Sequence, residues 1–197
     1  MNERITIVAA IGPGYKIREH QAAIERTAAA LPLPSRQLLI ERPEIASLAN
    51  YSRFILFNLW PHIETEFALI VQWDGYGVNR GKWTDDFLKW DYIGATWPAY
   101  MATPDQRVGN GGFSLRSTKW LLAGKDNRDW RGEPEDVFCC RTHQSNWLAA
   151  GCRIAPAQLA MRFSIEHPCE EWPHWTSKDS FGFHGWFSPD REKYRIL

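Results

Sequence analysis

Two largely apolar runs, Ile5 to Ile11 and Phe67 to Trp73, constrain this chain more than any other feature in it. Neither alternates polar with apolar residues, so neither suits a sheet with one wet face. Strands of this kind are buried on both sides of a mostly parallel sheet. Segments of helical spacing lie between them. His20 to Ala30 is alanine-rich and stops at Leu31-Pro32-Leu33-Pro34. Glu44 to Ile63 repeats apolar residues at Ile45, Leu48, Tyr51, Ile55 and Leu59. With Gln37 to Glu41 as a strand between the helices, the alternating order predicts an α/β domain: a mixed, mostly parallel central sheet flanked by helices.

The second half reads as shorter elements and longer loops. Asp74 to Lys82 is a polar loop, Thr84 to Trp90 a short helix and Tyr92 to Thr96 a strand. Gly112 to Arg116 reads as a strand ending at Ser117, which caps a helix to Ala123 with Gly124 as its stop. Pro134 to Ala150 carries proline and acids at its start and Gly151 at its end, the signature of one long helix. Arg153 to Ala155 is a small strand, and Glu166 to Leu197 is aromatic and irregular. At 197 residues, without repeats or linkers, residues 1–197 are expected to form a single domain.

Lys plus Arg and Asp plus Glu both number 23, which removes the basic footprint of a general nucleic-acid binder. A small phosphorylated ligand is still open, because it needs only local charge or oriented backbone N–H groups. No apolar run approaches the roughly 20 residues that span a bilayer, so any membrane association would be peripheral. Cys139, Cys140, Cys152 and Cys169 lack zinc spacing and read as reduced thiols, which places the chain in the cytoplasm. The tryptophan load belongs mostly to a core. Trp73, Trp83, Trp97, Trp130, Trp175 and Trp186, however, sit beside polar loop residues, where a flat face with a polar handle grips sugars or bases.

Four short motifs carry the chemistry. Asp74 follows the best strand, where open α/β sheets bind ligands, and Gln72 lies on the same face. Asp74-Gly75 equally suits a plain turn. Gly111-Gly112 permits close backbone approach, flanked by the donors Asn110, Ser114 and Arg116. Glu135 and Asp136 open a helix, whose dipole stabilises acids and would keep a carboxylate ionised as a general base. His184 stands between glycines in Phe181-Gly182-Phe183-His184-Gly185. An Asp and a His together suit Mn²⁺ or Mg²⁺, with phosphates and water in the remaining positions.

This ordered set, extended by Tyr51-Ser52-Arg53-Phe54, Trp83 to Phe87, Asp91 to Ala95 and Val137-Phe138, resembles a family of glycosyltransferase-like proteins catalogued as a domain of unknown function. The resemblance spans roughly residues 50 to 187. More distantly the order is similar to metal-dependent GT-A glycosyltransferases such as the galactosyltransferases. The resemblance implies a GT-A-like, Rossmann-like domain, nucleotide-binding over about 1–100 and acceptor-binding and catalytic over about 101–197. It implies Mn²⁺ or Mg²⁺ held by Asp74 and His184, a nucleotide-sugar donor, and a glycan or other hydroxyl acceptor. Asp136 would deprotonate the acceptor and Glu135 would hydrogen-bond it, with Gly111 and Gly112 beside both sugars. Ala9, Ala10 and Ile11 would contact the nucleotide base, and Gln72, Trp73, Asn110 and Arg116 would complete the donor and acceptor site. The position of the first acid in the family's Asp-x-Asp motif is Gln72 here.

Glycosyl transfer needs a neutralised diphosphate leaving group and a nucleophilic acceptor oxygen, which an ion and a carboxylate supply. A single base opposite the leaving group implies inversion, and polysaccharide biosynthesis is the expected setting. A non-catalytic carbohydrate-binding protein and a metal-dependent hydrolase or nucleotidyltransferase are the competing readings. A glycosidase is not, since adjacent Glu135 and Asp136 cannot flank a bond from both sides.

Overall fold

The computed structural model describes residues 3–185. Trp186 and the rest of the tail lie outside the described residues. The chain runs β1 (Ile5–Ile11), α1 (Ile17–Ala30), β2 (Ser35–Glu41), α2 (Leu48–Phe57), β3 (Phe67–Ile70) and β4 (Gly75–Gly77). It continues through β5 (Tyr92–Ile93), β6 (Ser114–Ser117), α3 (Thr118–Gly124), α4 (Glu135–Val137), α5 (Gln144–Ala149), α6 (Ala157–Phe163), β7 (Ser164–Ile165) and β8 (Gly182–His184).

The main sheet has the order β2-β1-β3-β6-β5. β1 pairs parallel with β2 and with β3, in register Ile5 to Ser35 and Ile5 to Phe67. β6 runs antiparallel to both β3 and β5. The sheet is therefore mixed, and its parallel part is the half built from the two apolar runs. β1 is apolar throughout because both its faces are covered. Ile5, Ile7 and Ala9 join Leu69, Phe113 and Leu115 in one cluster, while Val8 and Ala10 join Ile70, Phe54, Ile55 and Leu59 in the other. Successive side chains point to opposite faces, so each cluster takes alternate residues. Each large side chain fully buried there contributes about 1.5–3 kcal/mol.

Local signals set several boundaries. The Ser47 hydroxyl accepts the Asn50 N–H at 3.2 Å and starts α2, and Ser117 Oγ accepts the Trp120 N–H at 3.1 Å and starts α3. Other expected elements differ. The Glu44–Ile63 helix is limited to α2, followed by a 3-10 turn at Trp60–His62 that contains Pro61. The Pro134–Ala150 helix is divided into α4, a π-helical turn at Phe138–Thr142 and α5. Phe138, Cys139 and Cys140 are all fully buried, and three consecutive residues cannot share one face of a helix with 3.6 residues per turn. The wider turn brings all three inward.

Arg153–Ala155 forms only a single bridge, Tyr92 to Ile154. The segment read as a loop after Asp74 contains β4, which joins β8 and β7 in a second sheet of order β4-β8-β7. That small sheet brings the late histidine back to the carboxyl end of β3, beside Gln72.

Candidate active site

β3 leads into a tight hairpin. Gln72 N donates to Gly75 O at 2.9 Å and Gly75 N to Gln72 O at 3.0 Å, leaving Trp73 and Asp74 at the tip. Asp74-Gly75 is thus a turn, and the turn stands at the carboxyl end of β3. Asp74 Oδ1 is buried and has no hydrogen-bond partner among the described residues. A buried, unsatisfied oxygen costs about 1–3 kcal/mol, so its retention wants an explanation.

β8 places His184 opposite Gly75 in the β4–β8 ladder. Its Nε2 lies 3.1 Å from Gln72 Oε1 and 3.9 Å from Asp74 Oδ1, and its Nδ1 lies 3.2 Å from Glu166 Oε1. The imidazole is pressed between two glycines. A Cβ on Gly75 would come 2.5 Å from its Cδ2, and one on Gly112 would come 1.9 Å from its Nε2. Burial alone would lower the His184 pKa, but the hydrogen bond and charge of Glu166, with the charges of Asp74 and Asp136, hold it above the ordinary value. Burial would likewise raise Glu166, yet hydrogen bonds from His167 and His184 bring it down to about 2. Asn110 Nδ2 also donates to Glu166, from a left-handed backbone at φ 43°, and its Oδ1 is buried without a partner.

Glu166 escaped the sequence reading because it sits in a stretch without periodicity. Its signal was an acid adjacent to a histidine (Glu166-His167) ahead of the glycine-flanked His184. Tyr51 reads in the sequence as an apolar helix position and as part of a motif, not as a site residue. Its hydroxyl accepts Gln72 Nε2 at 3.0 Å, linking α2 to the hairpin.

The Asn110–Gly112 loop meets α4. Gly111 N donates to Asp136 Oδ2 at 2.8 Å, and Val137 N to Asp136 Oδ1 at 2.7 Å. Glu135 takes a different path: its Oε1 accepts Arg116 Nη2 at 2.8 Å, both side chains being almost wholly buried. Arg116 also donates to Gly111 O at 3.4 Å and to Ser114 Oγ at 3.1 Å, and Ser52 Oγ accepts Glu135 N. Glu135 and Arg116 thus satisfy each other and fix the loop. A Cβ on Gly111 would come 1.9 Å from Glu135 Oε1 and 2.7 Å from Arg116 Nη2, so a larger residue there would displace the buried ion pair.

The Asp136 pKa is raised to about 6, first by burial and then by the Glu135 charge, against the pull of its two backbone hydrogen bonds. The helix dipole was expected to depress it. α4 is three residues long before the π turn, and burial outweighs its dipole.

A cleft of about 580 Å³ opens between the end of β1, α1, α2 and the hairpin. Ala10, Ile11, Gln72, Trp73, Tyr51, Tyr15 and His20 line it. Ala9 is fully buried in the core, so it shapes the strand end from behind. Lys16 Nζ sits 2.9 Å from the centre of the Trp73 ring. Of the other tryptophans, Trp83 packs against Phe87 and Phe181, Trp97 is core, and Trp175 donates to Ser180 Oγ. Trp130 lines a separate hollow with Arg53, Lys125 and Arg128.

Among the described residues no group of three or more His, Cys, Asp and Glu is placed to hold a metal ion. Asp74 and His184 nevertheless fit a divalent cation as a pair. Asp74 Oδ1 and His184 Nε2 lie 3.9 Å apart, and the oxygen has no hydrogen-bond partner among the described residues. Nε2 faces Gln72 Oε1 at 3.1 Å and would give up its proton there to ligate an ion. The far imidazole nitrogen faces a carboxylate, the usual second partner of a ligating histidine.

Residues 36–184 match the family described as "Protein of unknown function (DUF5672)". The chain belongs to that family. The matched part of this DUF5672 chain includes Tyr51, Gln72, Asp74, Asn110 to Gly112, Arg116, Glu135, Asp136, Glu166 and His184; β1 and α1 lie before it. A search of curated proteins found no match. Among solved structures the chain is similar to a "crystal structure of a glycosyltransferase involved in the glycosylation of the major capsid of PBCV-1". The two are 16% identical with a TM-score of 0.61, over 98% of this chain and 99% of that one. The DUF5672 chain therefore has a glycosyltransferase-like α/β fold.

Proposed function

We propose that this protein transfers a sugar from a nucleotide-sugar to an acceptor hydroxyl, with inversion, using Asp136 as general base. One observation carries the reading: of the two acids opening α4, Glu135 is neutralised by Arg116 and Asp136 is not. A carboxylate held by two backbone N–H groups, with its pKa raised to about 6, is stationary and still basic enough to take a proton near neutral pH.

In the transfer, Asp136 accepts the acceptor's hydroxyl proton while that oxygen forms a bond to the anomeric carbon. The bond from that carbon to the diphosphate breaks, and the nucleoside diphosphate leaves with the electron pair. Asp74 and His184 would hold Mn²⁺ or Mg²⁺, which neutralises charge on the departing diphosphate. The cleft formed by Ala10, Ile11, Gln72 and Trp73 receives the nucleotide, and the backbone of Gly111 and Gly112 borders the sugar. Asn110, Glu135 and Arg116 act as positioning residues: Asn110 through Glu166 on His184, and the ion pair on the Gly111 N–H that orients Asp136. The acceptor is a glycan or another hydroxyl compound. The similar solved structure, a glycosyltransferase by its description, supports the reaction class.

The test is a panel of nucleotide-sugars incubated with Mn²⁺ and glycan acceptors, with products identified by mass spectrometry. A glycosylated acceptor is expected. Free sugar or nucleoside monophosphate as the sole product would mean a hydrolase. Glycan binding that no nucleotide influences would mean a binding module.

A further inference from the structure

Trp130 stands away from the nucleotide cleft. It lines a hollow of about 300 Å³ between the second half of α2 and the loop that follows α3. That volume lies at the lower end of small-ligand sites, so one ligand filling it meets every wall. Arg53, Lys125 and Arg128 are three of those walls, and no acid among the described residues is another.

The positive charge is available. The Arg53 and Arg128 side chains make no hydrogen bond or ion pair to any described residue. Lys125 Nζ has a contact of 3.6 Å with Asp126 Oδ2, whose side chain is 76% exposed, and so exposed a pair holds a cation weakly. Glu133 is engaged elsewhere, its Oε2 accepting the Arg131 N–H at 2.9 Å.

The walls are also fixed in place. Trp130 Nε1 donates to Glu133 O at 2.9 Å, and Arg131 Nη1 donates to the Arg128 carbonyl at 2.9 Å. Asn127 Oδ1 accepts the Asp129 N–H at 3.2 Å, which leaves the Asn127 amide N–H groups to donate. Trp130 meets Phe57 edge to face at 6.0 Å, and both rings are only half-buried. Ring faces beside fixed cations match one ligand chemistry, a sugar that carries negative charge. Its C–H face packs on the indole, and its carboxylate or phosphate takes the guanidinium groups.

The hollow adjoins the segment that carries the base. Ser52, the residue before Arg53, accepts the Glu135 N–H, and Trp130 is tied to Glu133 just ahead of Glu135 and Asp136. We propose that this hollow binds a negatively charged sugar unit of the acceptor, a uronic acid or a sugar phosphate. The acceptor role rests on the transferase reading; the binding does not.

The experiment is calorimetry at low salt of trigalacturonate, a maltotriose bearing one phosphate, maltotriose and tripolyphosphate. Each is titrated into the wild-type chain and into the double variant Arg53→Gln with Arg128→Gln. Both arginines are exposed, so the variant is expected to melt with the wild type. In the wild type, the better charged sugar is expected to bind at least about tenfold tighter than maltotriose, and added salt to narrow that ratio. The double variant should bring it to near unity. Which charged sugar binds better separates a carboxylate from a phosphate ligand. Maltotriose binding the wild type as tightly as both charged sugars would overturn the proposal, as would an unchanged ratio in a variant that melts normally. Tripolyphosphate binding as tightly as the better sugar would reduce the hollow to a patch of charge and overturn it too. The wild-type panel decides even where the variant folds poorly. Glycosylation of a neutral acceptor by a chain that binds no charged sugar would remove this proposal and keep the transferase. Charged-sugar binding without transfer from any nucleotide-sugar would overturn the acceptor role together with the transferase reading.

Discussion

Arg116 Nη2 and Glu135 Oε1 are paired at 2.8 Å with both side chains almost out of reach of solvent. The pair joins β6 to α4 and, through the Gly111 carbonyl, to the loop that orients Asp136. Breaking it should cost stability before it costs chemistry. Arg116→Met strands a buried carboxylate and is expected to lower unfolding stability by about 3–5 kcal/mol, read from urea denaturation. Adding Glu135→Leu should recover much of that loss, because the stranded charge is then gone. A double variant as unstable as Arg116→Met alone would refute this account of the pair.

Asp136→Asn keeps shape and burial while removing the base. Turnover is expected to fall by about 10²–10⁴-fold, with the nucleoside diphosphate Kd changed less than about twofold. Undiminished turnover would take Asp136 out of the reaction.

The same carboxyl sets a pH dependence. Its folded pKa, about 6, lies above the ordinary 3.8, so the folded state holds this proton more tightly than the unfolded chain. The stabilisation is complete below pH 3.8 and is lost as pH rises through 6. Activity moves the other way, since only the ionised group accepts a proton. The kcat/KM profile should rise along a limb centred near pH 6. Asp136→Asn, neutral at every pH, should show no such pH-dependent loss, with a constant offset because its amide nitrogen cannot accept from one of the two backbone N–H groups that Asp136 binds. Thermal melts across pH follow this gap directly.

Asp74→Ala should weaken nucleoside diphosphate binding in Mn²⁺ by about tenfold or more while leaving metal-free affinity unchanged. The paired calorimetric titrations separate an ion ligand from a turn residue. Equal losses with and without Mn²⁺ would assign Asp74 to the turn alone.

Gly112→Ala drives a methyl to 1.9 Å from His184 Nε2, whereas at Gly81 a Cβ meets nothing within 4 Å. The first change should destabilise the fold by about 1–3 kcal/mol and reduce Mn²⁺-dependent binding. Gly81→Ala should do neither.

What the sequence showed and what it hid divide along physical lines. β1, β3 and the Ser117 cap were legible because their signals are local: an apolar run, or one hydroxyl beside a helix start. β4 and β8 were not, since three residues carry no readable period and their pairing joins distant segments. The helix from Pro134 has helical spacing in sequence, yet burial of Phe138, Cys139 and Cys140 together imposes a π turn that no propensity marks. The same holds at the site. The acids, the glycine pair and His184 were visible as residue types. That Glu135 is consumed by Arg116, that Glu166 faces His184, and that burial raises the Asp136 pKa depend on contacts made only in the folded chain.

The Gln72–His184 contact joins residues 112 positions apart. A chain emerging from a ribosome could complete β1, β2 and β3 long before β8 exists. Until then the hairpin tip would have a strand edge and a hydrophobic seam open to neighbouring molecules. Assembly of the site is thus a late event in the life of each molecule. Chains halted before Gly182 should depend on chaperones, however good their main sheet.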